Sequence, residues 1–215
     1  PRSAAAALRL LEAYDLPIGD DVVSGLLDNS SGKGSRFDAL LLHGSKECAL
    51  LIDALITRAP SLERAAKSDA LLIEALKPET AKAALQLIEE RSLEITDKVR
   101  EHLMTVRDSL GKVISPLEAL VLDASCMPLI AALCAKDDAI KAAVTAPAMI
   151  AAVAVPEKAS TALKLIETYS VEIGSELSAL LLAKDDKGRS KLLGLMAKSA
   201  ETANDADGDG GESES

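Results

Sequence analysis

Aromatic side chains are nearly absent from this chain of 215 residues, which has one Phe, two Tyr and no Trp. Sheet proteins draw on aromatic and β-branched side chains to fill their pleated faces, whereas Ala and Leu are the strongest helix formers. Ala and Leu dominate the apolar residues here. We therefore predict an all-α fold.

Long apolar runs and a cysteine framework are missing as well. The longest apolar stretch, Ala146 to Val155, is shorter than the roughly 18 residues that cross a bilayer, and it contains Pro147. The three cysteines have no regular spacing and form no Cys-x-x-Cys pair, so we interpret them as small core thiols. These absences predict no membrane segment or membrane partner, and a reducing compartment such as the cytoplasm.

Positive charge is also scarce. The net charge is −10, and six acidic residues without a basic one lie from Ala200 to Ser215, which leaves about −4 for the rest of the chain. Nucleic acids are attracted by clustered Lys and Arg, so we exclude them as partners. Residues 200–215 are predicted to form an acidic disordered tail.

Motifs that would carry chemistry are incomplete. Asp205 to Gly210 places Asp and Gly as at the start of a calcium loop, but the position of the loop's bidentate Glu falls beyond Ser215. Gly32-Lys33-Gly34-Ser35 lacks the glycine spacing of a phosphate loop. His43 and His102 stand at unrelated positions. We predict no catalytic residue, no metal and no cofactor, and hence no enzymatic activity in this fragment.

What the chain does have is one pattern that occurs three times, at separations of 77 and 78 residues. Each copy follows a proline, at Pro1, Pro78 and Pro156. The three copies are Ala7-Leu8-Arg9-Leu10-Leu11-Glu12, Ala84-Leu85-Gln86-Leu87-Ile88-Glu89 and Ala162-Leu163-Lys164-Leu165-Ile166-Glu167. Self-similarity at a fixed period indicates a tandem repeat. Because Pro1 follows no Met, we expect a fragment that begins at a repeat boundary.

We assign residues 1–199 to one helical repeat domain with units 1–77, 78–155 and 156–199. Each full unit is predicted to contain five or six short amphipathic helices, one of them from Thr96 to Ser109. Such helices are unstable alone in water, so stacking must bury them. Equivalent apolar positions should form the core, where Leu→Ala costs about 2–5 kcal/mol. These positions are Leu10, Leu11, Leu87, Ile88, Leu165 and Ile166.

A serine follows a glycine-containing turn in each unit, at Ser35, Ser115 and Ser190. A serine hydroxyl can accept a hydrogen bond from the free amides of a first helical turn. We predict that each of these serines caps the start of a helix.

These serine turns resemble those of ankyrin repeats. Ser115-Pro116-Leu117-Glu118-Ala119-Leu120 resembles the Thr-Pro-Leu-His-x-Ala opening of an ankyrin repeat, and Gly188-Arg189-Ser190 matches its Gly-x-Thr turn. Gly44 stands where the glycine between the two ankyrin helices would fall. The likeness covers part of the chain, and an additional helix in each unit departs from the family pattern.

The resemblance implies an α-solenoid of stacked helical hairpins. Degenerate ankyrin-like arrays rich in Ala and Leu are similar to those of effector proteins that bacterial pathogens secrete into host cells, where the array docks a host protein. By this resemblance, the chain would be the docking region of a virulence effector and would act in the host cytosol.

The leading hypothesis is therefore a protein–protein interaction module, because repeat arrays offer extended binding surfaces without a preformed pocket. Three loops fall at the same place in successive units, at Asn29 to Arg36, Arg107 to Ser115 and Lys184 to Ser190. We expect them to line one binding edge. The predicted partner-binding residues are Ser31, Lys33, Arg36, Arg107, Lys112, Lys187 and Arg189.

Two alternatives remain at this point. The chain would be the substrate-recruiting or regulatory domain of a larger enzyme if a catalytic domain precedes Pro1. It would be an oligomerisation scaffold if a terminal unit exposes apolar surface. The sequence fixes neither the partner nor the oligomeric state.

Overall fold

The computed structural model describes residues 2–30, 32, 34–109, 112–184, 188–194 and 196, and this part of the chain is helical almost throughout. Helices α1 to α6 span Arg2–Tyr14, Asp20–Leu27, Arg36–Leu42, Lys46–Arg58, Ser61–Ala66 and Asp69–Ala75. Helices α7 to α12 span Ala81–Glu89, Asp97–Met104, Pro116–Val121, Met127–Lys136, Asp138–Val144 and Pro147–Val153. Helices α13 and α14 span Ala159–Tyr169 and Ser175–Leu182, and residues 191–194 are helical again. The predicted all-α class is confirmed.

The order of these helices repeats. In the described residues, α1 to α6 fill the first predicted unit, α7 to α12 fill the second, and α13 opens the third. A 3₁₀ turn at Pro78–Thr80 precedes α7, and another at Pro156–Lys158 precedes α13. The second helix of each unit, α2, α8 or α14, is 8 residues long. Equal lengths at equal offsets show that the sequence period is also a period of secondary structure.

The first helix of each unit ends in the same unusual backbone conformation. Asp15, Ser92 and Ser170 have φ values of 43°, 52° and 50°, and they stand at the repeat offsets of 77 and 78 residues. The left-handed region is unfavourable for residues other than glycine, but it closes a helix by letting the next amides bond back to free carbonyls. The amide of Val171 donates to the carbonyl of Ile166 at 2.9 Å, and that of Leu16 to Leu11 at 3.3 Å. The chain therefore leaves each first helix by a similar tight turn.

A basic side chain on the fourth helix supports this exit in both full units. Arg58, the last residue of α4, donates from Nη2 to the carbonyl of Leu11 at 3.2 Å. Lys136, the last residue of α10, donates from Nζ to the carbonyl of Leu93 at 3.3 Å. These carbonyls lie at or just past a helix end, so the cations supply partners that the helix itself lacks.

The predicted serine caps are confirmed in all three units. The hydroxyl of Ser35 accepts from the amide of Asp38 at 3.0 Å, and the carboxylate of Asp38 accepts from the amide of Ser35 at 2.9 Å. Ser115 accepts from Glu118 at 3.1 Å. Ser190 accepts from Leu193 at 3.2 Å. Each cap fixes where the third helix of its unit begins.

The chain forms two compact units, the first containing residues 1–120 and 125–136 and the second residues 121–124 and 137–215. This division does not coincide with the repeat boundaries at Pro78 and Pro156. The assignment of residues 1–199 to one domain with units 1–77, 78–155 and 156–199 stays a prediction. The tail predicted at residues 200–215 lies outside the described residues.

Helix α7 is the centre of the first compact unit. It packs against α3, α6 and α10, whereas the principal partner of α1 is α4. The buried residues of α7 are Ala81, Ala83, Ala84, Leu87 and Ile88. The alanines let neighbouring helices approach closely, while Leu87 and Ile88 fill the space between them. In the second compact unit, α12 contacts α13 and α14, as α6 contacts α7 and α8 in the first.

The predicted core positions are confirmed except at the first and last of the six. Leu11, Leu87, Ile88 and Leu165 are buried. Ile166 is half-buried. The prediction that Leu10 is a core residue is wrong, since 53% of its surface is exposed. Leu87, which is equivalent to Leu10, lies on the side of α7 that faces α3. Helix α1 packs chiefly on α4, so the corresponding side of α1 stays open to solvent.

The helix predicted from Thr96 to Ser109 is too long. Helix α8 ends at Met104, and Thr105 is already in an extended conformation with ψ of 118°. Strands β1 (Arg107–Ser109) and β2 (Lys112–Ile114) then pair antiparallel, with Arg107 opposite Ile114 and Ser109 opposite Lys112. The β-branched side chains at positions 105, 106, 113 and 114 favour strands over a helix and explain the early end.

Replacing Leu by Ala at the equivalent positions 87 and 10 should give unequal results. Leu87→Ala leaves a cavity between α7 and α3 and should lower the free energy of unfolding by about 2–5 kcal/mol. Leu10→Ala removes an exposed side chain and should change that free energy by no more than about 0.5 kcal/mol. Urea denaturation of the two variants measures the difference, and equal losses would contradict the packing described here.

Thr161 offers a stabilising substitution. It is 1% exposed within α13, and its hydroxyl has no hydrogen-bond partner in the described residues, whereas the equivalent residue of α7 is Ala83. Thr161→Val should raise the free energy of unfolding by about 1 kcal/mol, because an unsatisfied hydroxyl leaves the core. Thr80→Val is the control, since the Thr80 hydroxyl donates to the carbonyl of Ala75 at 2.8 Å and its loss should destabilise the chain. A Thr161→Val variant that unfolds at lower urea than the parent would refute this assignment.

Candidate functional site

The first predicted loop is held by its own hydrogen bonds. The side chain of Asn29 accepts from the amide of Gly34 at 2.9 Å, and that of Asp28 accepts from the amide of Ser30 at 2.9 Å. The loop then enters the cap at Ser35. Asn and Asp side chains favour such turns because they mimic backbone acceptors. These bonds fix the backbone amides of Ser30 and Gly34 in the part of the loop that the structure describes.

The second and third loops are built on short strand pairing. In the second, β1 and β2 form a hairpin that leads directly into the cap at Ser115. In the third, Lys184 and Ser190 form an isolated antiparallel bridge, and Gly188 has φ of 74°. Each loop leaves the second helix of its unit and ends at the serine that caps the third. The three loops therefore occupy equivalent places in the helix order.

The structure places only some of the predicted binding residues. Arg36, the first residue of α3, is exposed, and so is Arg189. Arg107 begins β1 and Lys112 begins β2. Ser31, Lys33 and Lys187 lie outside the described residues. The first two loops belong to the first compact unit and the third to the second. Their alignment along one edge stays a prediction.

Sequence reasoning missed a groove where α3 and α4 meet α7. The groove is open to solvent and is far smaller than a small-molecule pocket. Its lining residues include Leu40, Leu41, Gly44, Ser45, Ile52, Ala83, Gln86, Leu87, Glu90 and Arg91. At its rim, Arg91 donates from Nη2 to the carboxylate of Asp53 at 2.7 Å. The groove is the join between the third and fourth helices of one unit and the first helix of the next.

Gly44 makes this close approach possible. Its φ is 62°, and a Cβ added there would lie 3.4 Å from the backbone nitrogen of Ala83. A side chain would therefore face both backbone strain and a tight contact with α7. The sequence contains one sign of this contact, since Gly44 stands between two predicted helices. The contact itself joins Gly44 to Ala83, which is far away in the chain.

The described residues do not gather the side chains that ligate a metal ion. They contain no group of three or more His, Cys, Asp or Glu side chains that could hold a metal ion. Cys48, Cys126 and Cys134 are buried and form no disulfide. The pKa of the Glu47 carboxyl is lowered, first by a hydrogen bond with its own backbone at the start of α4 and then by the hydroxyl of Ser45. This effect is local to a helix end. The calcium-like segment Asp205 to Gly210 lies outside the described residues.

Substitution of two glycines by Ala tests the close approach at the groove. Gly44→Ala should lower the free energy of unfolding by about 1–2 kcal/mol or more, because the left-handed conformation is costly for Ala and the Cβ presses on α7. Gly25→Ala is the control, since this glycine lies within α2 with no atom within 4 Å of the added Cβ. It should stabilise the chain by about 1 kcal/mol through helix propensity. Thermal or urea unfolding of both variants measures these changes. An unchanged free energy of unfolding in Gly44→Ala would contradict the close approach of Gly44 to α7.

None of the described helices is both long and apolar enough to cross a bilayer. Comparison of the chain with protein-family models, with curated proteins and with solved structures found no match.

Proposed function

We propose that this chain is a protein–protein interaction module, a helical repeat array of the α-solenoid kind in which the three loops bind another protein. From the ankyrin-like resemblance, we further propose that the partner is a host-cell protein and that the chain is the docking region of a secreted bacterial effector. The loops concerned are residues 29–36, 107–115 and 184–190.

One observation carries this proposal: a constant frame supports variable loops. Each loop starts after a helix of 8 residues and ends at a serine cap, yet the three loops differ in sequence and in secondary structure. Loops on a rigid scaffold can change without disturbing the core, which is why they commonly carry binding specificity. A repeat array with this division of roles is suited to recognition of another chain.

The order within the loops supports binding as well. Hydrogen bonds with the side chains of Asp28 and Asn29 restrict the backbone of the first loop, and strand pairing restricts that of the other two. Less conformational entropy is therefore lost when the loops bind a partner. Preorganisation of this kind lowers the cost of association.

The charge of the loops suggests the chemistry of the partner. The three loops have net charges of +2, +1 and +1, although the whole chain has −10. Basic loops on an acidic protein attract an acidic surface patch and repel a basic one, so we expect the partner to present clustered Asp and Glu. Binding should therefore weaken as salt is added.

Charge reversal in the loops tests the proposal. The protein is used as bait in a host-cell lysate, captured proteins are identified by mass spectrometry, and the affinity of a purified candidate is then measured. Arg36→Glu combined with Lys112→Glu should weaken binding by about tenfold or more, because two attractive contacts become repulsive.

The matched control is Lys82→Glu combined with Lys141→Glu, which makes the same change in charge at exposed positions on α7 and α11. It should leave the affinity within about twofold, since rim and distant charges contribute little. Circular dichroism checks that both double variants remain folded. Equal affinities for the loop variant and the control would remove these loops from the binding surface.

A further inference from the structure

The three loops assigned to partner binding start at one position of the repeat. Helices α2, α8 and α14 end at equivalent residues, which are 77 and 78 residues apart. The second residue after each of these helices is Asn29, Val106 or Lys184. We call this position and the serine that caps the third helix the base of the loop.

The loops differ in length only between the two sides of the base. The enclosed residues are 30–34, 107–114 and 185–189, which are five, eight and five residues. The helix before each loop is 8 residues long in all three units, and the serine cap after each loop is present in all three. The longer second loop is therefore accommodated without a change in the elements that flank it.

Backbone pairing closes two of the loops at the base. In the third loop, Lys184 and Ser190 form an antiparallel bridge from one side of the base to the other. In the second loop, Arg107 is paired with Ile114, and these are the first and last of the enclosed residues. Both closures bring the start of the loop against its end.

A side chain closes the first loop instead. Oδ1 of Asn29 accepts a hydrogen bond from the amide of Gly34, the residue before the capping serine, at 2.9 Å. The amide of Ser35 is already engaged, because it donates to the carboxylate of Asp38 at 2.9 Å. An asparagine suits this role, since its short amide side chain can replace a backbone acceptor. Asn29 thus joins the same two sides of the base that backbone pairing joins in the other loops.

We propose that Asn29 is a positioning residue for partner binding, an inference that rests on the proposed function of the loops. Its side chain closes the base of the first loop and so holds the loop in the conformation that binds. A loop with a closed base has fewer conformations to lose on association. The bond made by Asp28 differs, because it reaches only the amide of Ser30 on the same side of the loop.

Amide hydrogen exchange of the full chain, followed by NMR, tests the closure without a partner. Asn29→Ala should speed exchange of the Gly34 amide by about two- to tenfold, the range that the net free energy of one hydrogen bond allows. Asn29→Asp keeps an acceptor oxygen and should exchange no faster than the parent. Asp28→Ala is the matched control, which should free the Ser30 amide and leave Gly34 unchanged. An unchanged Gly34 rate in Asn29→Ala would overturn the proposal.

Affinity for the purified protein identified by lysate capture tests the positioning. Asn29→Ala has the same charge as the parent, and it should bind about two- to tenfold more weakly because the free loop is less ordered. Asp28→Ala keeps the base closed and should bind at least as tightly as the parent. The midpoint of thermal unfolding of Asn29→Ala should stay within about 2 °C of the parent, since the residue is exposed.

The results separate this role from others. Parent-like affinity in Asn29→Ala would overturn the positioning role. A midpoint that falls together with the affinity would overturn it too, because Asn29 would then act through the fold as a whole. Failure of the proposed function looks different, since the double variant of Arg36→Glu and Lys112→Glu would then bind like the parent. If the positioning role alone is wrong, that double variant loses affinity while Asn29→Ala keeps it.

Discussion

The structure depends on burial of short helices against neighbouring helices, some from the same predicted unit and some from the adjoining one. None of the described helices exceeds 13 residues, a length at which an isolated helix is marginal in water. Helix α7 shows how the problem is solved, because it is enclosed by α3, α6 and α10 and buries an alanine and leucine face against them. Removal of this packing would leave helices without enough internal stability to persist.

Local devices then fix where each helix starts and stops, so that the packing faces meet. Serine caps begin the third helix of each unit, left-handed residues end the first, and Arg58 and Lys136 bind the carbonyls at that exit. Each device satisfies backbone groups that a short helix cannot satisfy itself. The frame is consequently constant, while the loops between its fixed points differ in sequence and conformation.

This separation also divides the molecule's surfaces by chemistry. The loops carry a net positive charge and have described hydrogen bonds of their own, which supports the proposed recognition of a charged partner. The exposed side chains of Leu10 on α1 and of Met196 are apolar instead. The proposal that the loops bind another protein concerns only the first of these two kinds of surface.

The sequence by itself determined what depends on local chemistry and on periodicity: the helical class, the 77- and 78-residue period, the serine caps and most helix limits. It also placed Leu11, Leu87, Ile88 and Leu165 correctly in the core. It failed at Thr96 to Ser109, where β-branched residues form a hairpin, and at Leu10, which carries the same motif as Leu87 but stays exposed. Only the tertiary structure decided which of the equivalent leucines is buried and where the groove at Gly44 lies. Burial depends on contacts between residues that are far apart in the chain. A repeated motif specifies the face that a helix offers, and the neighbouring helices decide whether that face is covered.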